Sequence, residues 1–221
     1  MSGNMKVMTN IEALIKNTSE RISIKTQIDH IDLFKNNYSI SLEIQNRIDL
    51  IQNKTTFDEI REGHAFKIIR VDSIQAEWEA TFSAVNMASV TILESILEGL
   101  YLQSICLIRQ EYEGIAQLHH IIKKTRQKKK APNIGHMGAE IRTIYAELSQ
   151  GAHIASDEMA QLQAQSASGL EDTIAVLPHG INIAPSYSKE VSESLIKIHM
   201  DLRRELISHL DAHIARNFQT S

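Results

Sequence analysis

Along most of this chain apolar residues return every three or four positions, the spacing that turns one face of an α-helix toward a core. The clearest run lies between Glu98 and Lys124. There Leu97, Tyr101, Ser104, Ile108, Tyr112, Ile115, His119 and Ile122 keep the step and predict one long central helix. Ser73 to Leu97 repeats it through Trp78, Phe82, Val85, Ala88, Ile92 and Ile96, a second core helix. Gly99 reads either as a break between the two or as a small residue inside a longer rod. Toward the N-terminus, residues 9–35 fit one or two short amphipathic helices, and Ile40, Leu42, Ile44, Ile48, Leu50 and Ile51 predict a helix from Tyr38 to Lys54. Thr55 and Thr56 offer a cap, after which Phe57, Ile60, His64, Ile68 and Val71 predict another helix.

Beyond the central pair, Ile134, Met137, Ile141, Tyr145 and Leu148 define a short helix that Gly151 would end or bend. Residues 161–188 turn rich in Ala, Gln, Ser and Gly and contain Pro178 and Pro185, so they read as a connector. Within it TIAVLPHGINIAP has two β-favouring runs around Pro-His-Gly, consistent with an irregular loop or a small hairpin. A last helix follows Ser186 or Ser188 with Val191, Leu195, Ile198, Leu202, Leu206, Leu210 and Ile214 as its stripe. The organisation is all-α: an N-terminal helical extension over residues 1–70 and a helical bundle over 71–217.

Composition sharpens this picture in a few places. Nine Gly and three Pro in 221 residues are too few for an all-β chain of tight turns. Cys106 is the only cysteine, which excludes an intrachain disulfide and a Cys-based metal site and suits a reducing cytoplasm. No stretch runs about 18 residues without charge, so no membrane span is expected. A net charge of -4 argues against a chain that coats nucleic acid, while leaving room for a local basic patch. GxxxxGK[ST], GxGxxG and GxSxG are absent, which removes the nucleotide-binding and α/β-hydrolase classes that depend on them.

Several polar groups interrupt the apolar pattern. Arg109 follows the run SICLI on the central helix, with Glu113 one turn on; a guanidinium on an apolar helix needs a partner. Arg142, Tyr145, Ser149, His153 and Asp157 stand three or four apart, so a continued helix aligns them. The run KKTRQKKK places Lys123, Lys124, Arg126, Lys128, Lys129 and Lys130 after the central helix. It suits either a solvated helix end or a phosphate-contacting patch, although no aromatic residue is interleaved for base stacking. Asp201, Glu205, His209 and His213 form a strip at intervals of four; a divalent metal there needs a ligand from a second element, and the leading expectation is no metal and no cofactor. Arg204 and His209 give an Arg, four residues, then His, a spacing about one and a half turns apart. His119 and His120 read as a core-facing residue and its flanking neighbour.

LIRQEYEGIAQL at Leu107 to Leu118, then IYAELSQGAH at Ile144 to His153, then a Pro-containing connector and a final amphipathic helix, resemble bacterial HEPN-like proteins over about residues 75–212. The resemblance implies an all-α bundle, frequent homodimerisation, and metal-independent RNA cleavage or RNA binding in toxin-antitoxin or phage-defence systems, with an antitoxin or defence subunit as protein partner. It implies His153 and Arg109 as the catalytic pair, with Glu113, Tyr145 and Ser149 orienting them, and Arg204 with His209 as the alternative. The chain departs from the family's Arg-x(4 to 6)-His pattern, in which a polar residue such as Asn, Asp or His follows the Arg. Here Gln110 follows Arg109, which has no His at that distance, and Glu205 follows Arg204. A non-catalytic interaction module, using the first 70 residues as its contact arm, is the competing expectation. For Arg109, Glu113, Ser149 and His153 that alternative means a buried polar network locking two helices in register.

Overall fold

Two antiparallel helices joined at a glycine form the centre of the computed structural model, which describes residues 2–54, 58–62, 65–69, 73–126, 130–137, 139–151, 176–177, 181–182, 185 and 187–218. Helix α3 spans Ser73–Leu97 and α4 spans Tyr101–Lys123. Gly99 is a break: its φ is 74°, and Gly99 N–H donates to the Ile96 carbonyl while Leu100 N–H reaches back to Ser95. This bond pair closes a helix with a left-handed residue, the conformation glycine adopts without a Cβ penalty. The same pair of bonds ends α4, with Lys124 at φ 57° in the glycine position.

The remaining described helices are α1 (Ser2–Asp29), α2 (Ile31–Lys54), α5 (Ala139–Gly151) and α6 (Lys189–Phe218). Cross-contacts give their directions. Tyr101 of α4 exchanges hydrogen bonds with the backbone of Ser188 at the start of α6, and Glu111 meets His199 further along, so α4 and α6 run parallel. Ser188 also caps α6, its Oγ accepting from the Val191 N–H at 3.3 Å. Helix α2 is parallel to α6 as well: His30 Nε2 lies 2.8 Å from Ser192 Oγ, and Arg47 grips Asp211 with two nitrogens at 2.7 and 3.1 Å. Helix α3 runs the other way, with Ser95 opposite Ser104 and Trp78 stacked on His213 at the far end. Helix α5 packs on the outer side of α4.

One hydrophobic cluster joins α2, α3, α4, α5 and α6 through residues such as Ile44, Trp78, Ile92, Ile108, Ile115, Leu118, Leu148, Ile196 and Leu206. The N-terminal helix α2 therefore shares the core of the bundle. Helix α1 leans on the bundle through Thr18, Ile22 and Thr26, and Ile22 packs with Tyr187. By length and composition α3 is also long and apolar enough to cross a membrane. Its Trp78, Phe82, Val85, Ile92 and Ile96 are buried in the shared core.

The all-α architecture agrees with the apolar spacing, and of the two forms read for the connector, loop first and hairpin second, it holds the hairpin, β3 (Val176–Leu177) paired antiparallel with β4 (Ile181–Asn182). Four local expectations are corrected. The helix expected from Phe57 is a hairpin, β1 (Asp58–Glu62) with β2 (Ala65–Ile69), in a register that places Glu62 opposite Ala65. Only Gly63 and His64 separate the strands, and a glycine-containing dipeptide between runs holding Ile60, Phe66, Ile68 and Ile69 favours a tight turn over a continued helix. The expected short helices within residues 9–35 are one 28-residue helix, and α2 begins at Ile31 rather than Tyr38. The short helix starts at Ala139, with Ile134 and Met137 packing from the loop before it.

Close packing of α3 on α4 has a sharp local test. A Cβ built on Gly114 would stand 2.4 Å from Val85 Cγ2. Gly114→Ala is expected to destabilise the fold by about 1–2 kcal/mol, since overpacking outweighs the better helix propensity of alanine. Combined with Val85→Ala, the loss should be clearly smaller than the sum of the two single losses, as read by chemical denaturation of all four proteins.

Candidate functional site

Arg109 and Glu113 sit one turn apart on the outer flank of α4, where α5 lies across them. Glu113 Oε1 accepts the Tyr145 O–H at 2.8 Å and is ion-paired with Arg109, whose Nε lies 3.3 Å away without completing a hydrogen bond. The guanidinium carbon stands 5.8 Å from the centre of the Tyr145 ring, which in turn meets Tyr112 edge-on at 6.0 Å. Tyr145 beside it, and Glu113 after that, hold Arg109 further toward its charged form. About one third of the Arg109 side chain and one quarter of Glu113 remain open to solvent. Ser149 follows Tyr145 by one turn of α5, and its Oγ is buried without a hydrogen-bond partner among the described residues. Three of the expected site residues, Arg109, Glu113 and Tyr145, thus converge where α4 meets α5, with Ser149 one turn further along α5. His153 lies outside the described residues, as does Asp157, while Arg142 is exposed.

The alternative pair is not brought together. Arg204 is exposed and ion-paired with Asp201 at 2.5 Å, whereas His209 is mostly buried, 3.8 Å from Glu205. His213 is stacked on Trp78 at 4.0 Å with its Nε2 toward Glu79. The strip read as a possible metal ladder is thus divided among separate partners, and no three His, Cys, Asp or Glu side chains among the described residues form a group able to hold a metal ion.

The basic run continues from α4 into the loop. Lys123, Lys124 and Lys130 are exposed, Arg126 pairs with Glu77 of α3, and Lys128 and Lys129 lie outside the described residues. Beside this run is a histidine cluster whose full extent the sequence reading missed. His119 and His136 stack at 3.9 Å, and His120 meets both edge-on. His120 Nε2–H and His136 Nδ1–H both donate to the Asn133 carbonyl, at 2.8 and 3.1 Å, and Thr125 O–H supplies His120 Nδ1 at 2.7 Å. The rings therefore fasten the loop between α4 and α5. Burial, reinforced by neighbouring positive groups, lowers the pKa of His119, His136 and His209.

A second polar group, in the middle of the bundle, was not anticipated. His199 Nδ1 donates to Glu111 Oε2 at 2.8 Å with both side chains fully buried, and Arg203, one turn further along α6, donates to Ser89 of α3 at 3.2 Å. The sequence signal was present: His199 and Arg203 continue the spacing of Ile196, Leu206 and Leu210. The stripe read from the sequence shares Leu195, Leu202, Leu206, Leu210 and Ile214 with the buried face; what it left out are Ile196, Met200 and the polar His199 and Arg203. This group cannot reach a macromolecular substrate. Comparison with known proteins returned no match, either to a family model, to a curated protein or to a solved structure.

Two outcomes follow. Glu111→Ala should cost about 3–5 kcal/mol because it strands His199 in the core and removes the carboxylate facing Arg203, whereas Glu111→Leu combined with His199→Leu should cost clearly less than the sum of the two single changes, measured by urea denaturation. For pH, the unfolded chain protonates its imidazoles near 6.5, before the folded chain protonates His119, His136 and His209, and His30, lowered mainly by burial, acts in the same direction. Protons bind the unfolded state better in that window, so these groups favour the fold fully above about pH 7 and progressively less as pH falls through 6.5. Thermal melts between pH 7.5 and 5.5 should show a falling Tm, and His136→Asn should flatten the slope.

Proposed function

We propose that the chain is a HEPN-like RNA-acting protein whose working site is the cleft between α4 and α5, and that it cleaves RNA without a metal in a toxin or phage-defence setting. The carrying observation is the Arg109 side chain, about one third exposed, ion-paired with Glu113 and beside the Tyr145 ring, with the buried, unpaired Ser149 hydroxyl one turn along α5. A pre-positioned guanidinium is suited to the charge that grows on a phosphate during attack by the neighbouring 2′-hydroxyl. Glu113, Tyr145 and, from the sequence, His153 supply groups that move protons. Arg109, Glu113, His120 and Lys124 follow one another at steps of four, seven and four along α4, so phosphates flanking the cleft would meet His120 and the exposed Lys123 and Lys124. Cytoplasmic action and an encoded protein partner belong to the same reading.

The second reading, a non-catalytic helical module, is favoured by the same contacts seen differently: Arg109 already has a carboxylate, and the described part of the cleft contains no imidazole. Purified protein incubated with total RNA and a tRNA pool in the presence of chelator distinguishes the two. Cleavage is expected, with at least a hundredfold loss in Arg109→Ala and His153→Ala while Tm stays within a few degrees of wild type. A folded wild-type protein that leaves RNA intact would support the module, as would variants whose main effect is a lower Tm.

A further inference from the structure

Helices α1 and α2 bury one side and carry large apolar residues on the opposite, exposed side. One side faces the bundle, burying Thr18, Ile22 and Thr26 on α1 and Asn37, Ile40, Ile44 and Ile51 on α2. The other side carries Ile24 and Ile28 on α1 and Ile31, Tyr38 and Leu42 on α2, exposed by 61%, 68%, 52%, 65% and 47%. Their spacing of four, three, seven and four is that of a single helical stripe. The two sets stay in line because hydrogen bonds from His30 to Thr26 and from Phe34 to His30 carry the helical ladder over the one-residue junction. A surface helix ordinarily turns polar residues outward, so a second apolar stripe needs a cover.

We propose that this stripe seats a second copy of the same chain, packed antiparallel about a two-fold axis at Ile31. Three observations select that occupant. Ile24 and Tyr38 stand symmetrically about Ile31, seven residues before it and seven after, while Ile28 and Leu42 fall opposite Phe34 and Glu20 of the second copy. A two-fold axis there sets Ile31 against itself and Tyr38 of each copy against Ile24 of the other, an isologous contact. The flanking charges are of both signs, including the ion pairs Lys25–Asp29 and Lys35–Asp32, so no strongly acidic or basic partner is called for. The five side chains expose on the order of 500–600 Å² per copy, and a pair with its polar rim removes roughly 1,200 Å², the lower bound for a specific interface. A parallel pair would place Lys35 directly against Lys35; the antiparallel pair places it beside Gln27 and Ile28. The inference is independent of the RNA reading, since it concerns neither the α4–α5 cleft nor its residues.

The test is the mass of the full chain in solution by light scattering at tens of micromolar, together with Ile28→Glu and Tyr38→Glu. These positions are exposed, so both variants should keep wild-type helicity by circular dichroism. Wild type is expected at twice the chain mass and each variant at the chain mass. In a Cys106→Ser background, Ile31→Cys should form a disulfide-linked dimer under mild oxidation, and Ile24→Cys, about 20 Å from its symmetry mate, should not. A monomeric wild type, a dimer that survives both glutamates, or equal crosslinking through Ile24→Cys would each overturn the proposal.

Discussion

The buried pair of Glu111 and His199, with Arg203 beside it, is the constraint to which the rest of the bundle is fitted. Apolar helices can slide or rotate past one another at modest cost, because one leucine replaces another against the same neighbour. Ionisable groups without solvent cannot. A slip of one turn between α4 and α6 would leave a carboxylate and an imidazole unpaired in the core, at several kcal/mol. Arg203 extends the same demand to α3 through Ser89. Three helices are thereby held in one register at mid-height, and the ends are fastened by Tyr101 against Ser188 and by Trp78 against His213. Gly114 then lets α3 approach α4 more closely than any side chain would permit.

That register is what positions the polar group where α4 meets α5. On α4 the residues two before and two after Glu111 are Arg109 and Glu113, each turned about 200° from it around the helix axis. Fixing Glu111 inward therefore fixes Arg109 and Glu113 on the side where α5 lies, and Tyr145 completes the arrangement by donating to Glu113. A helix anchored by a buried charge presents its outer charges with little rotational freedom, which is the condition for a pre-organised phosphate contact.

Much of the bundle was legible from periodicity because the same apolar step that defines each helix also defines its packing face. The extents of α3, α4 and α6 follow from it closely. What periodicity did not reveal is polar burial. Glu111, His199 and Arg203 interrupt their stripes with charged letters, and a stripe drawn only through leucine, isoleucine and valine passes beside them. Spacing made Glu113 legible as the neighbour of Arg109, and Tyr145 as the neighbour of Ser149, but only the family resemblance joined the two groups; the loop-fastening role of His136 depends on the chain turning back at Asn133, which no spacing encodes. The first hairpin was misread because Phe57, Ile60, His64, Ile68 and Val71 fit a helical period by coincidence, while the decisive residue, Gly63, is a single letter between two short β-favouring runs.

The two charge groups on α4 also differ in how freely they can be exchanged. The Arg109–Glu113 pair, about a third exposed, holds about 0.2–1 kcal/mol, so an incoming phosphate that offers the guanidinium two oxygens can replace the carboxylate at small cost. Glu113 is not stranded by that exchange, because Tyr145 still donates to it and water still reaches it. The Glu111–His199 pair has neither recourse: both groups are wholly enclosed, and any ligand that took one would leave the other without a partner. The chain thus keeps its fixed charges inside and its exchangeable ones outside, separated by one helix diameter.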